Sequence, residues 1–206
     1  MKRGRRPDGD LPKLTEGHLN RALLARNHLL TRASLPVERM VERLAGLNAQ
    51  DPQQAYLSLW SRLHGFRRED LDQALSSRRL VKAMLMRSTL HIVSARDLLR
   101  IREALQPVLT RAFRSFFKTQ AERLPLETLL REAGAFAAVE PRTLPEIREH
   151  LLRLTPGEEP SALTFLARTH LPMVQLPPGG KWGSYGTPAW IMAETWLGRP
   201  LALGRR

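Results

Sequence analysis

Three polar side chains stand at a short joint between two helical patterns, and their spacing could position a water molecule. Asn48 and Gln50 are two residues apart, and Asp51 follows directly, just before Pro52. Two amide side chains at positions i and i+2 of a turn can hold one water between them, because each carries an acceptor oxygen and N–H donors. Asp51 is the only carboxylate between residues 44 and 63, so it is the nearby group that could act as a base.

The same three residues could instead serve only the backbone of the joint. Asp51 precedes a proline, a residue that is favoured in the first helical turn, so its carboxylate is a natural N-cap. Asn48 and Gln50 could likewise satisfy only backbone groups of the turn. The residue types alone leave both roles open, and the three side chains stand as candidate catalytic residues.

The elements on either side must hold this joint in place. Thr15 is predicted to cap a first helix whose face carries Leu19, Leu23, Arg26 and Leu30, and Pro36 opens a second helix that reaches Leu47. After the joint, apolar residues at helical spacing predict one buried stripe, formed by Tyr56, Leu59, Trp60 and Leu63. A short helix over about residues 69–75 follows.

A change of pattern after this helix predicts a β-hairpin. Residues 80–93 are rich in Leu, Met, Val, Ile and Thr, with alternation over residues 89–93. Three helices followed by a hairpin are the order of a winged-helix unit. The predicted wing carries four basic residues: Arg78, Arg79, Lys82 and Arg87.

The order of elements then repeats. Ser94 is predicted to cap a long helix over 95–117 that is kinked near Pro107, and another helix spans 125–138. Thr143 and Ser161 are predicted to cap helices that end near residues 154 and 170. A strand over 172–176, a tip at 177–180 and a returning strand over 182–185 predict a second wing. A terminal helix ends at Gly198.

We therefore predict a mainly α fold with small β-hairpins, organised as a tandem winged helix-turn-helix. The predicted units are residues 13–100 and residues 101–198. Residues 1–12 form a basic tail that we expect to be disordered. Residues 199–206 form a second tail, and we expect the chain to be truncated there, as a short relative of a longer protein.

The charge of the chain points to a polyanionic partner. The 206 residues include 33 Lys and Arg against 20 Asp and Glu, which gives a net charge of +13 and a pI near 11.4. A field of this sign is typical of nucleic-acid-binding proteins, and arginine binds phosphate in a bidentate manner. A genome that favours arginine codons is the alternative explanation.

Other classes of protein are disfavoured by composition. Cys is absent, which excludes disulfides and thiolate metal sites. Five of the six His residues show no metal-ligand spacing with each other or with carboxylates, so we expect neither a metal nor another cofactor. They are His18, His28, His64, His150 and His170. No apolar run approaches the roughly 20 residues that a membrane-spanning helix needs. We expect a cytoplasmic, nucleoid-associated monomer.

Four segments, taken in order, resemble the winged-helix DNA-binding proteins of the AlkZ-type DNA glycosylase family, and the resemblance extends over roughly residues 14–198. The second segment is similar to that family's Arg-Gly-Thr-Leu-His. The four are Leu47-Asn48-Ala49-Gln50-Asp51-Pro52 with the following Ala55-Tyr56-Leu57 and Leu59-Trp60-Ser61-Arg62-Leu63, then Arg87-Ser88-Thr89-Leu90-His91, Gly179-Gly180-Lys181-Trp182-Gly183 and Ala193-Glu194-Thr195-Trp196-Leu197-Gly198.

The resemblance implies tandem winged helices followed by a β-rich C-terminal domain, which we expect this chain to lack. It also implies hydrolysis of the N-glycosidic bond of alkylated purines, including some interstrand crosslinks, with a Gln-apolar-Gln or Gln-apolar-Asp signature. Asn48 occupies the first signature position and is one methylene shorter than Gln, so its amide reaches about 1.5 Å less. Gln50 would orient the attacking water, with Asn48 as its second holder.

His91 would stack on or hydrogen-bond to the damaged base, or contact a phosphate, although a histidine on a strand often serves only packing. Contacts to duplex DNA are expected from Arg62, from the basic residues of the first wing, and from Lys181 and Trp182 in the second. A non-catalytic winged-helix regulator is the alternative, although the helix over 53–64 presents few base-reading side chains. An RNA-binding protein is a third.

Overall fold

The computed structural model describes residues 13–202, so the predicted tail at 1–12 and the last four residues lie outside the described part. Within it the chain forms ten α-helices and six short strands. The helices are α1 (Glu16–Arg26), α2 (Val37–Arg43), α3 (Pro52–Trp60), α4 (Arg68–Ser76), α5 (Ala95–Phe116), α6 (Lys118–Arg123), α7 (Leu126–Val139), α8 (Leu144–Leu154), α9 (Pro160–His170) and α10 (Ala193–Leu197). The strands are β1 (Leu47–Asn48), β2 (Leu80–Met84), β3 (Leu90–Ser94), β4 (Arg142–Thr143), β5 (Met173–Gln175) and β6 (Ala189–Met192).

The six strands form one antiparallel sheet in the order β1-β3-β2-β5-β6-β4. The predicted hairpin of β2 and β3 is confirmed. It does not stand alone, because β2 also pairs with β5 and joins the two halves of the chain. The fold is therefore mainly helical with a single small sheet. The predicted boundary between the two units, between residues 100 and 101, falls within α5.

The predicted returning strand over 182–185 is wrong, because the chain leaves the sheet there. Gly183 has a φ of +77°, and the backbone N–H of Trp182 donates to Tyr56 Oη at 3.1 Å. This segment packs on α3, and the partner of β5 is β6.

Three apolar clusters hold the sheet between layers of helix. One cluster joins α2, α3 and α4 to β1, β2 and β3, and a second joins α7, α8 and α9 to β5 and β6. The third packs alternate residues of the central strands against Leu98 of α5 and Ala193 of α10. Because side chains alternate along a strand, the first two clusters share one face of the sheet and the third covers the other.

Several predicted helix boundaries follow local capping signals. Thr143 and Glu146 form a reciprocal capping box at the start of α8, and Ser94 accepts a hydrogen bond from the Asp97 N–H at the start of α5. Gly198 takes the left-handed conformation after α10, as predicted. Ser161 is not the cap of α9, because Glu159 is the N-cap residue and Pro160 begins the helix.

Other helical predictions are corrected by tertiary packing. α1 contributes no buried residue, and its predicted packing residues Leu19 and Leu23 are 56% and 59% exposed. Trp60 is 56% exposed, although Tyr56, Leu59 and Leu63 are buried as predicted. Pro107 lies inside an uninterrupted α5. The short helix α6 was not predicted.

Candidate functional site

The polar joint lies at one edge of the sheet, beside the hairpin of β2 and β3. Asn48 of β1 pairs in register with His91 of β3, and the Ala49 N–H donates to the Leu90 carbonyl at 2.8 Å. Asn48 and His91, two of the four predicted catalytic residues, are therefore brought together, although more than 40 residues separate them in the sequence. The chain then passes through Gln50 and enters α3.

Both ends of the Asn48 amide are engaged by neighbouring groups. Its Nδ2 donates to Thr89 Oγ1 at 3.5 Å, and its Oδ1 accepts from the Gln50 backbone N–H at 3.3 Å. Thr89 in turn donates to the Met86 carbonyl at 3.1 Å. Thr89 is therefore part of the site, and sequence reasoning missed it as a site residue although it lies in the Arg87–His91 segment. These contacts hold the Asn48 amide in one orientation.

Asp51 and Gln50 differ in how much of their side chain is committed. Asp51 Oδ1 accepts from the Gln53 backbone N–H at 2.7 Å, so the predicted N-cap of α3 is confirmed. The Gln50 side chain is exposed and makes no hydrogen bond to any residue in the 13–202 range. Gln50 therefore presents an uncommitted amide next to a rigid helix start, which is what positioning of a water requires.

His91 is buried and held in one tautomer. Only 6% of the residue is exposed, and its Nδ1 lies 3.0 Å from the Thr89 carbonyl. A carbonyl oxygen only accepts, so Nδ1 carries the proton and Nε2 of the neutral ring is an acceptor. Burial lowers the pKa of His91, and the nearby charge of Arg87 lowers this pKa further, although the bond to Thr89 opposes the shift. The ring is therefore neutral at pH 7.

The hairpin turn beside this pair has an unusual backbone. Arg87 and Ser88 both have a φ of +55°, and the Thr89 N–H donates to the Met86 carbonyl at 3.2 Å. Positive φ at both central residues is the requirement of a type I′ hairpin turn, which normally selects Gly or Asn. Ser88 Oγ is also buried and has no hydrogen-bond partner among the described residues. Non-glycine residues in this conformation cost free energy and cluster at functional sites.

The prediction that Lys82 is an exposed basic residue of the first wing is wrong. Its side chain is only 3% exposed, so its ammonium does not lie on the outer surface with the other basic residues. A Cβ added to Gly180 would stand 2.8 Å from Lys82 Cδ, so the 177–180 loop closes directly over this side chain. Burial lowers the pKa of Lys82 to about 8, against the opposing charge of Asp51.

The remaining basic residues are engaged to different degrees. Arg62 is half-buried and donates to the Asn27 and Ser58 carbonyls at 2.8 Å each, so it holds the end of α1 against α3. Burial lowers the pKa of this guanidinium. Arg78 lies over the Trp196 ring at 4.0 Å.

The exposed positions of the predicted wing are thus Arg78, Arg79 and Arg87. Arg79 is ion-paired with Glu38, whereas Arg87 stands exposed at the hairpin turn and forms no ion pair in the described part of the chain. Arg87 is therefore the wing residue with the least committed charge.

Lys181 and Trp182 lie on the segment that follows β5. Lys181 Nζ donates to Ser76 Oγ at 2.8 Å, and the Trp182 ring packs edge-on against Tyr56 with 5.6 Å between ring centroids. The Tyr56 hydroxyl also donates to Asp72. These contacts place Lys181 and Trp182 over α3 and α4. The two residues do not begin the returning strand of a second wing.

Between residues 13 and 202, no cluster of three or more His, Asp or Glu side chains is placed to hold a metal ion. In that range no helix is both long and apolar enough to cross a membrane.

Comparison with known proteins identifies the family. The family model described as DNA glycosylase AlkZ-like matches residues 41–206. The DNA glycosylase AlkZ of Streptomyces sahachiroi is similar in structure, with a TM-score of 0.61 and 22% identity over 85% of this chain and 48% of that chain. The chain thus spans about half the length of that protein, and no curated protein matches it in sequence. The predicted resemblance is confirmed, and the chain belongs to the AlkZ-like DNA glycosylase family.

Proposed function

We propose that this protein is a DNA glycosylase that hydrolyses the N-glycosidic bond of alkylated purines in duplex DNA. Membership of the family supports the class of reaction. The observation that carries the proposal for this chain is the exposed, uncommitted amide of Gln50 at the rigid start of α3. It stands beside the Asn48–His91 pair, at the second position of the Gln-apolar-Gln or Gln-apolar-Asp signature.

The reaction requires little acid catalysis from the protein. A purine alkylated at N3 or N7 is cationic and leaves as a neutral base when the bond from C1′ to nitrogen breaks. The protein needs a positioned water and stabilisation of an oxocarbenium-like sugar. The water oxygen bonds to C1′, and its proton passes to a carboxylate or to solvent.

Each residue of the joint has a proposed role in that step. The carbonyl oxygen of Gln50 accepts a hydrogen bond from the water and aims its lone pair at C1′. Asp51 receives the proton through Oδ2, since Oδ1 is the N-cap acceptor for Gln53. Asn48, held by Thr89, is the second wall of the water site, and the Nε2 of neutral His91 accepts a hydrogen bond from an N–H of the damaged base.

Binding of the duplex is proposed to depend mainly on phosphate contacts. Exposed Arg78, Arg79 and Arg87 surround the hairpin, and Lys181 with Trp182 lies over α3 and α4. We propose two winged-helix units, residues 13–100 and 101–198, that share α5 and the six-stranded sheet. The protein would act as a monomer on nucleoid DNA in the cytoplasm.

A second candidate function is favoured by one observation. The amide of Asn48 is bonded at both ends to groups of its own joint, which is the arrangement expected of a purely structural residue. Together with its shorter reach, this favours a non-catalytic DNA-binding module, acting as a regulator or an architectural protein.

Base release from duplex DNA carrying 7-methylguanine separates the two functions. We would compare the wild-type chain with Gln50→Ala and Asn48→Gln, and with Gln54→Ala as a control on the exposed side of α3. Release that is lost in Gln50→Ala and kept in Gln54→Ala supports the glycosylase. Release by Asn48→Gln alone shows that the shorter amide limits the chemistry. No release by any variant, with DNA binding retained, supports the binding module.

A further inference from the structure

An aromatic pocket on α3 lies outside the polar joint and has no part in the proposed reaction. It has a volume of about 280 Å³ and lies between α3, the start of α4 and the segment that follows β5. Its walls are almost entirely apolar and are formed by Tyr56, Leu57, Trp60, Phe66, Arg68 and Trp182.

The inner wall of this pocket is fixed. The Tyr56 hydroxyl donates to Asp72 and accepts from the Trp182 backbone N–H at 3.1 Å. The Trp182 ring meets the Tyr56 ring edge-on at 5.6 Å, and the neighbouring Lys181 is tied to Ser76. The pocket is therefore formed before any ligand binds.

The outer wall is open and apolar, and this exposure needs an explanation. Trp60 is 56% exposed and Leu57 is 54% exposed, on the same helix and next to the buried Tyr56. Contiguous exposed apolar surface on a highly charged protein marks a binding site more often than chance. None of the contacts of the proposed reaction uses this surface.

One guanidinium group lines the pocket and a second lies on the Trp60 ring, and together they determine what would fit. Arg68 lies 5.2 Å from the Trp182 ring centroid, and Arg32 lies 4.6 Å from that of Trp60. An arginine that stacks on an aromatic ring keeps its N–H edges available for a phosphate. The combination of stacking faces and cations matches a planar base that carries an anionic backbone.

Size and position favour a single unstacked nucleobase. The pocket lies just below the roughly 300–1,000 Å³ of sites that enclose drug-sized ligands, so it suits one ring system. Gln50 lies just before α3, and Tyr56 is four residues beyond Pro52, where the helix begins, which corresponds to about 6 Å along α3 and to about two nucleotides of one strand. The pocket is therefore placed for a base near the target nucleotide, and distinct from it.

We propose that this pocket binds an unpaired nucleobase of locally opened or single-stranded DNA by stacking on the exposed ring of Trp60, with Arg68 on the adjacent phosphate. The proposal depends on the DNA binding put forward above and is independent of base release. It gives Trp182, which sequence reasoning selected for DNA contact, a place in the wall of a base-binding pocket.

The test uses the full chain and a 15-nucleotide single strand with 2-aminopurine at its centre. Stacking on an indole quenches the fluorescence of 2-aminopurine. Trp60→Ala and Arg68→Ala are the main variants, because Trp60 and Arg68 are exposed and belong to no apolar core. Trp60→Phe is the conservative variant, and Phe116→Ala removes an exposed aromatic ring outside the pocket.

We expect Trp60→Ala to bind the single strand about 5- to 150-fold more weakly, which corresponds to the loss of one base–aromatic stack. The quenching should be lost with it, and Trp60→Phe, which keeps an aromatic ring for stacking but has no indole, should restore most of the affinity. Phe116→Ala should bind as the wild type does. Affinity for an intact blunt duplex of the same sequence should change by less than twofold in Trp60→Ala.

Three results would overturn the proposal. The first is unchanged single-strand affinity and quenching in both Trp60→Ala and Arg68→Ala. The second is an equal loss for single strand and duplex, which would indicate a general effect on binding. The third is an equal loss in Phe116→Ala. Release of 7-methylguanine, measured on the same variants, reports on the proposed glycosylase separately, so the two proposals can fail independently.

Discussion

Asn48 and His91 lie directly opposite each other across the pairing of β1 with β3, and Thr89 bonds to both. The Thr89 hydroxyl accepts a hydrogen bond from Asn48 Nδ2, and the Thr89 carbonyl accepts one from His91 Nδ1. One residue of the hairpin thus orients two side chains of the candidate site. This relationship makes Thr89 a positioning residue, whose effect should pass through its neighbours.

Thr89→Val tests this positioning role. Valine has nearly the same shape but cannot accept from Asn48 or donate to Met86, so the amide should lose its fixed orientation. A misplacement of about 1 Å can reduce a rate by about 100-fold. We expect base release to fall at least tenfold, with a loss of about 1 kcal/mol in the free energy of unfolding. Thr164→Val on α9 is the matched control, and an equal loss of rate there would contradict the role.

The neutral state of His91 predicts a dependence on acid. Because burial lowers its pKa below the ordinary value of 6.5, protons bind the unfolded chain first as pH falls below that value. Folding stability should therefore decrease from about pH 6.5 downward, and base release should fall as Nε2 loses its acceptor lone pair. Unfolding of the wild type and His91→Gln between pH 4 and 8 measures this. His170 shifts in the same direction and remains in both proteins, so the difference between them isolates His91.

Local signals predicted the parts of the fold whose causes are local. The N-cap of Asp51, the capping box of Thr143 with Glu146 and the left-handed Gly198 all depend on residues within a few positions of one another. The strands β2 and β3 were found for the same reason. The pairing of β2 with β5 was not predicted, because it joins residues about 90 positions apart, such as Ala83 and Val174.

The candidate site was predicted only where its residues are neighbours in the sequence. The joint was selected from residue types that lie next to each other, but its register against His91 is a long-range pairing. Lys82 was misplaced because all five residues of β2 are buried, so alternation does not distinguish an inner from an outer position there. The leucines of α1 show helical spacing, but Leu19 and Leu23 stay more than half exposed.

The strained hairpin turn predicts a stabilising substitution. Ser88 has a φ of +55° and a buried hydroxyl without a partner among the described residues. Glycine adopts this backbone without a steric cost and removes the unsatisfied hydroxyl. We expect Ser88→Gly to raise the free energy of unfolding by about 1 kcal/mol. Ser115→Gly, in right-handed helical backbone, should lower it, and urea unfolding of both variants measures the contrast.

Burial of Lys82 predicts a gain in stability on its removal. Its pKa of about 8 lies below the ordinary 10.5, so between these values the unfolded chain holds a proton that the folded protein has released. Raising the pH through this window should therefore stabilise the fold, and the full cost of the buried charge applies below pH 8. Lys82→Met should raise the free energy of unfolding at pH 7 by about 1–3 kcal/mol. It should also flatten the pH dependence between 8 and 10.5, and an unchanged slope would contradict the burial.

Arg87 and Arg79 differ in how much of their charge is available to DNA, and salt dependence measures that difference. Arg87 is exposed without an ion pair among the described residues, whereas Arg79 is paired with Glu38. A phosphate contact contributes about 0.9 to the slope of log affinity against log salt, because a bound counterion is released. Arg87→Gln should therefore reduce the slope by about 0.9, and Arg79→Gln should reduce it by less. Titrations of an undamaged duplex at 50–200 mM salt give both slopes. Equal slopes for the wild type and Arg87→Gln would show that the hairpin turn does not reach the phosphates, and would move the DNA contact to the surface that Lys181 and Trp182 occupy.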